Sequence, residues 1–227
     1  IRDVLGSRGL GDVYKRQMPE CLISTYQDNM PLAAELKADF EWAKSIAVGP
    51  GLSMNVAAAE ITRCVLERDD KVRILDADAL NIIAGEHIDY KGSREGQIII
   101  TPHIMEMSRL TGKTVADIKE HMIESAKEYA IQHSCICILK DARTVVTDGQ
   151  KVYINCTGND GMSTGGCGDV LTGLIAGMTA MGLDAFEAAC LSVYVHGKAG
   201  DYAASGKGRA GMTAADISEA IAYVLKR

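Results

Sequence analysis

The run Asn159-Asp-Gly-Met-Ser-Thr-Gly-Gly-Cys-Gly-Asp-Val-Leu-Thr-Gly173 decides the fold. It follows a β-like stretch and opens an apolar helical one, so it reads as a strand–loop–helix joint. Gly161, Gly165, Gly166 and Gly168 let the backbone take positive φ and approach a ligand closely. The helix expected from Asp169 to Met181 aims its free N–H groups and its dipole at that loop. Gly165, Gly166, Cys167 and Gly168 then form an anion hole for a transferring phosphoryl group. Asp169 stands at its mouth, where a carboxylate can take the proton of a substrate hydroxyl. A plain helix cap above a tight turn is the alternative for Asp169. The density of glycine between a strand and a helix favours chemistry.

Upstream of this loop, apolar runs alternate with helical patterns. Ser45 to Val48 is β-like and ends in the turn Gly49-Pro50-Gly51. Val72 to Leu75 stops at Asp76-Ala77-Asp78, Gln97 to Ile100 at Thr101-Pro102, and Cys135 to Leu139 at Lys140. Leu32 to Lys44 and Asn55 to Arg68 are helical, as is a long segment from Thr114 to about His133, with Thr114 and Asp117 placed to cap it. Thr144 to Thr147 and Lys151 to Asn155 flank Asp148-Gly149, a hairpin signal. Ala185 to Ala204 and Ala214 to Lys226 are the last two helices. Alternating strands and helices predict an α/β fold with a mostly parallel sheet covered on both faces and an antiparallel edge. Ligands of such sheets bind beyond the carboxyl ends of the strands. Gly49, Asp76, Thr101, Lys140 and the loop after Asn155 all fall there.

The 227 residues, 47% of them hydrophobic, suit one domain with a substantial core. A net charge of −6 without any Lys/Arg-rich run argues against nucleic acid. No apolar run is long enough to span a bilayer, and there is no signal-peptide pattern. Seven cysteines, an odd number lying mostly in apolar runs, read as reduced thiols of a cytoplasmic protein. Cys135 and Cys137 share one strand face and are expected in the core. A P-loop is excluded, because Gly206-Lys207 has the wrong spacing, and no Rossmann fingerprint follows a strand.

Six motifs, in order, carry a resemblance that covers essentially Met18 to Arg227. They are Gly49-Pro-Gly-Leu52; Asp76-Ala-Asp-Ala-Leu-Asn81; Thr101-Pro-His103 with Glu106 and Arg109-Leu110; Lys140-Asp-Ala-Arg-Thr144; the Gly158 to Leu171 loop; and His196-Gly-x-Ala-Gly-Asp201 with Gly211-Met-x-Ala-x-Asp-Ile217. Together they resemble the ribokinase-like superfamily, and within it the ADP/ATP-dependent NAD(P)H-hydrate dehydratases. The resemblance implies a three-layer αβα sandwich. It implies phosphorylation of the hydroxyl on a hydrated nicotinamide ring, then loss of phosphate to restore NADH or NADPH. ADP or ATP would be the co-substrate and Mg²⁺ would sit on its phosphates, with no metal site built from side chains. Gly51, His103 and Asp169 would contact the hydrated cofactor, with Asp169 catalytic. Lys140, Asp141, Ala142, Arg143, Thr144 and Gly168 would hold the nucleotide. A homotetramer and a fused or partner NAD(P)H-hydrate epimerase are further implications. The rival readings are a small-molecule kinase of the same superfamily, acting on a hydroxymethylpyrimidine or hydroxyethylthiazole, and an inactive nucleotide-binding fragment.

Single residues keep second readings. His103 could cap the helix that follows, and Lys140 could be a snorkelling surface lysine. Glu106 and Arg109 could pair with each other one turn apart. Asp76 and Asp78 could be turn residues. His196 reads as a satisfied core histidine, and Met162 as packing under the loop. Three positions depart from the family pattern: Ser53 replaces a glycine after Leu52, Asp141 replaces another, and Cys167 puts a thiol at a helix N-terminus, where its pKa is expected to fall and its oxidation to be easy. Residues 1–17 are not expected to belong to the fold. Ser7 to Gln17 back-translates as a transposase-type sequencing adapter and Ile1-Arg-Asp3 as its outer end. The domain is therefore expected over residues 18–227, without the segment that precedes it in the family.

Overall fold

Short β-branched runs form the sheet, and burial on both faces explains why they alternate so little. The computed structural model describes residues 32–93 and 97–226, so the reading of residues 1–17 lies outside the described residues. Strands β1 (Ser45–Val48), β2 (Val72–Leu75), β3 (Ile98–Ile100) and β4 (Ile136–Leu139) are parallel neighbours in that order. The hairpin β5 (Val145–Thr147) and β6 (Val152–Ile154) continues the sheet antiparallel, with Leu139 opposite Val145 and Val145 opposite Ile154. Asp148 makes the turn by accepting from the Gln150 and Lys151 N–H groups at 2.9 and 2.7 Å.

Helix α1 (Leu32–Trp42) belongs to a unit of its own, which ends at Ala43. Its Lys37 and Glu41 sit one turn apart, 3.9 Å between charges. The remaining helices belong to the unit that holds the sheet: α2 (Val56–Leu66), α3 (Ala77–Gly85), α4 (Ile104–Thr111), α5 (Val115–Glu120), α6 (Met122–His133), α7 (Cys167–Ala180), α8 (Ala185–Lys207) and α9 (Ala214–Leu225). On one face Ile74, Ile99, Ile136, Ile138 and Val146 join Leu171 and Ile175 of α7 and Val193 of α8 in one buried cluster. Their neighbours in sequence, Leu75, Ile98, Ile100 and Cys137, turn to the other face and are equally buried. There α2 packs on β1, and α6 on β4 and β5. The expected three-layer αβα sandwich is thus the observed one, and Cys135 and Cys137 are core residues.

Two expectations change. The helix from Thr114 to His133 is two helices, parted at His121 (φ −127°, ψ 49°), although Thr114 and Asp117 do form the cap. No glycine or proline marks the break, so periodicity alone does not locate it. Asp76-Ala77-Asp78 is not a bare turn but the start of α3.

The departure at Ser53 has a local consequence. Ser53 holds φ 68°, the left-handed region, while its N–H donates to Asp78 Oδ2 at 2.8 Å. That backbone costs a residue with a Cβ roughly 1–2 kcal/mol. The greater freedom of glycine in the unfolded chain cancels about half of the relief. Ser53→Gly is therefore expected to raise Tm by roughly 1–3 °C in thermal denaturation. A Tm at or below the parent value would show that Ser53 stores no strain.

Candidate active site

The carboxyl ends of three adjacent strands finish on polar residues, and the fold brings them under one helix. Asp76 follows β2, Thr101 follows β3 and Lys140 follows β4. The Lys140 N–H donates to Pro102 O at 2.8 Å, and His103 pairs with Lys140 as an isolated bridge. This extends the β3–β4 pairing and sets His103 beside Lys140. Asp76 is 1% exposed, yet both its oxygens are engaged. Lys140 Nζ donates to Oδ1 at 2.9 Å and Thr172 Oγ1 of α7 donates to Oδ2 at 2.7 Å. Burial alone would raise the Asp76 pKa; the Lys140 ammonium and the hydroxyl donors outweigh it and hold the carboxyl below its ordinary range.

Close approach explains the first glycine motif. A Cβ on Gly49 would overlap the Asp76 carbonyl oxygen, so the loop after β1 can press on the end of β2 only as glycine. Next to it Ala77 holds φ 46°, a second left-handed residue with a side chain, at the start of α3.

His103 does cap its helix. Its Nδ1 accepts from the Met105 and Glu106 N–H groups, each at 3.1 Å, and Glu106 Oε2 accepts from the His103 N–H at 2.8 Å. An accepting Nδ1 places the proton of the neutral ring on Nε2, and half of the side chain remains exposed toward the site. Glu106 and Arg109 do not pair with each other: Glu106 closes the capping box, and Arg109 donates to Asn81 Oδ1 at 2.7 Å.

Helix α7 begins on Gly166, which is left-handed at φ 87° and gives no side-chain cap. The Cys167 N–H is taken by Thr164 O at 3.3 Å, and the Val170 N–H by Gly166 O at 3.1 Å. Among the described residues no acceptor faces the N–H groups of Gly168 and Asp169 between them. Two donors and the positive end of a 14-residue helix are thus left for an anion. A Cβ on Gly168 would lie 3.5 Å from Lys140 Nζ and 3.8 Å from Asp76 Oδ2, so the ammonium sits against the first turn of α7.

A cavity of about 790 Å³ opens here. It is lined by His103, the run Lys140 to Thr144, Cys167 and Gly168, all named from the sequence, and by Met162. Gly51, Gly165, Gly166 and Asp169 do not line it: Gly51 lies in the turn after β1, and Asp169 is exposed on the first turn of α7. Met162 packs under the loop against the α7–α8–α9 cluster, as expected. Lys140 is no snorkelling lysine; its head is tied to Asp76.

Two expectations are corrected. Cys167 is 5% exposed, and burial raises its thiol pKa, helped by the Asp169 charge. The helix N-terminus does not prevail, because the thiol is turned into the core. Iodoacetamide is expected to label exposed Cys156 well before Cys167 in the folded protein. Equal labelling, read by peptide mass, would show Cys167 to be accessible. His196 is a core residue satisfied on one side only: its ring meets the Cys167 backbone. It is 9% exposed on the cavity wall, its Nε2 has no hydrogen-bond partner, and burial pushes its pKa down to about 4.

Sequence reasoning left Asp76 open and missed Thr172. A signal existed. β2 and β4 flank β3, and their apolar runs end on opposite charges, Asp76 and Lys140.

Similar known proteins define first a fold class and then a family. A solved ribokinase-like superfamily protein of Enterococcus faecalis superposes with a TM-score of 0.81 at 25% identity, over 94% of this chain and 72% of that one. The fold is thus that of a ribokinase-like α/β protein. The chain belongs to the NAD(P)H-hydrate dehydratase family, whose model matches residues 3–223, a match that begins within the stretch read above as adapter. A bifunctional NAD(P)H-hydrate repair enzyme of Moorella thermoacetica is 45% identical over 183 residues, 80% of this chain and 34% of that protein. The chain spans about a third of the length of the first such relatives. The ADP/ATP-dependent NAD(P)H-hydrate dehydratase of Bacillus subtilis, co-crystallised with ATP/Mg²⁺, matches with a TM-score of 0.78 at 30% identity, over 94% of this chain and 74% of that one. No helix among the described residues is long and apolar enough to cross a membrane.

Proposed function

We propose that this chain restores NADH or NADPH from the hydrated cofactor at the expense of ADP or ATP. The observation that carries the reading is one cavity that joins the Lys140 to Thr144 run to Gly168, whose N–H has no acceptor among the described residues. In this reading the nucleotide lies along Lys140 to Thr144, with its terminal phosphoryl group at Gly168 and Lys140. The ring hydroxyl loses its proton to Asp169 as its oxygen bonds to phosphorus and the nucleotide leaves. Phosphate then departs from the ring carbon as the ring nitrogen's electron pair moves in, and loss of the neighbouring proton restores the dihydropyridine. Phosphate leaves far more readily than hydroxide, which is the chemical reason for a nucleotide. The α7 donors and the Lys140 ammonium stabilise the charge that develops on the transferring oxygens. His103 and Gly51 are proposed to position the dinucleotide.

The residues present fit Mg²⁺ as an ion carried by the phosphates. Among the described residues no three His, Cys, Asp or Glu side chains converge on a metal site, and Asp76 is committed to Lys140 and Thr172. Phosphate oxygens and water would hold the ion, and its contribution is charge neutralisation. Edge strand β6, which exposes Val152 and Ile154, supports a homo-oligomer, a tetramer by the resemblance. A fused or partner epimerase is proposed from the bifunctional relatives, and a cytoplasmic site of action from the unpaired thiols.

The test mixes the protein with NADH hydrate, Mg²⁺ and either ADP or ATP and follows the return of reduced-nicotinamide absorbance. Recovery only with nucleotide supports the reading and identifies the donor. Phosphorylation of a hydroxymethylpyrimidine or hydroxyethylthiazole, without any recovery, would replace it.

A further inference from the structure

The motif His196-Gly-x-Ala-Gly-Asp201 takes no part in the chemistry above, and the fold shows what it touches. It lies on α8, which passes behind the Gly-rich loop. Two of its residues are glycines that face the loop, Gly197 with no room for a side chain and Gly200 with room only if Met162 shifts. A Cβ on Gly197 would collide with the Thr157 hydroxyl and lie 2.7 Å from the Thr157 carbonyl carbon, and one on Gly200 would collide with the Met162 sulfur. The motif ends on a carboxylate with two partners in the loop. Asp201 Oδ2 accepts from the Gly158 N–H at 3.1 Å, and Oδ1 accepts from Asn159 Nδ2 at 3.1 Å. Asn159 in turn accepts the Gly161 N–H on its own oxygen, also at 3.1 Å. Gly158 holds φ 99°, so the loop enters through a conformation with little intrinsic preference, and something must fix it.

Gly158, Asn159 and Met162 line the cavity; Asp201 does not. The carboxylate therefore acts on a ligand only through the loop. We propose that Asp201 is a positioning residue: with Gly197 and Gly200 it moulds residues 157–162 onto α8, so that this wall of the cavity already has the shape the nucleotide needs before the nucleotide arrives. The inference rests on the nucleotide reading of the cavity given above. Its physical content is preorganisation. A loop that reaches its competent shape only a tenth of the time weakens apparent affinity about tenfold.

Asp201→Ala removes both contacts. Asp201→Asn keeps an acceptor for the Gly158 N–H but turns an N–H₂ toward the Asn159 donor, so it removes one. The full chain and both variants are titrated calorimetrically with ADP–Mg²⁺ and ATP–Mg²⁺, after thermal unfolding shows each variant to be folded. The KM for NADH hydrate is measured alongside. The nucleotide Kd is expected to rise roughly tenfold or more in Asp201→Ala and by a smaller factor in Asp201→Asn, with the KM for the hydrate within about twofold of the parent. A merely structural carboxylate would lower Tm and leave the nucleotide Kd of the folded fraction unchanged. Binding by the parent with the same Kd in both variants overturns the inference and leaves the nucleotide reading standing. Failure of the parent itself to bind either nucleotide overturns both.

Discussion

Asp169→Asn is expected to abolish most of the nucleotide-dependent recovery of NADH from its hydrate, lowering the rate by roughly 10²–10⁴-fold, while nucleotide binding and the fold persist. The structure separates the two roles. Asp169 is exposed on the first turn of α7 and is not a wall of the cavity. The groups proposed to hold the nucleotide are Lys140 to Thr144 and the Gly168 N–H, none of which the substitution touches. Asparagine keeps the size of the side chain and cannot take a proton. The carboxylate at this helix start is worth about 0.3–1 kcal/mol through the dipole, so the change in Tm is small. Rate by nicotinamide absorbance and Kd by titration decide the matter. A variant that keeps more than about a tenth of the parent rate would remove Asp169 as the base, since a positioned base is worth at least about a hundredfold. A loss of nucleotide affinity as large as the loss of rate would make it a binding residue.

How far the sequence reached depended on the range of the interaction. Ser45–Val48 and Val72–Leu75 are strands as read, because apolar runs between turn residues are a local signal. The Asp148-Gly149 hairpin and the Thr114 cap are local too, and both stand. Short α3 was not anticipated: Asp76 and Asp78 are residues of helix starts and of turns alike, nine residues carry little periodicity, and Asp76 makes no side-chain cap bond because it is held by Lys140 and Thr172. For the site, the strand-end rule picked out Asp76, Thr101 and Lys140, but the pairing of Asp76 with Lys140 spans 64 residues and the Thr172 contact 96. No spacing rule sees such contacts. Cys167 shows the opposite failure. The helix N-terminus was legible, whereas the direction of the side chain, into the core between α8 and α9, was a matter of packing.

Lys140→Met is expected to be the most destabilising of the substitutions considered, by about 3–5 kcal/mol at neutral pH, because it leaves a buried carboxylate without its cation. Asp76 is almost fully buried, and Lys140 keeps 22% of its side chain exposed, so water softens the pair from one side and the lower end of the range applies. About 3 kcal/mol corresponds to a fall in Tm of roughly 6–12 °C for a domain of this size. The pH dependence carries a sign. In the parent the Asp76 pKa is below its unfolded value, so its contribution is complete above about pH 4 and is lost as pH falls through the lower folded value. Without the ammonium, burial prevails and raises the pKa of Asp76 in the folded protein. The charged form is then penalised above that raised value, and the deficit shrinks as pH falls from neutrality toward about 4. Thermal denaturation of both proteins across that interval reads the effect. A deficit that stays constant, or widens on acidification, would mean that Asp76 does not depend on Lys140. Asp76→Leu in the Lys140→Met background removes the orphaned charge and is expected to recover most of the lost Tm, since an apolar pair can replace a buried ion pair at little cost. It is not expected to recover the nucleotide-dependent reaction. The pair would then stand as a device that places an ammonium beside the first turn of α7 rather than as a source of stability.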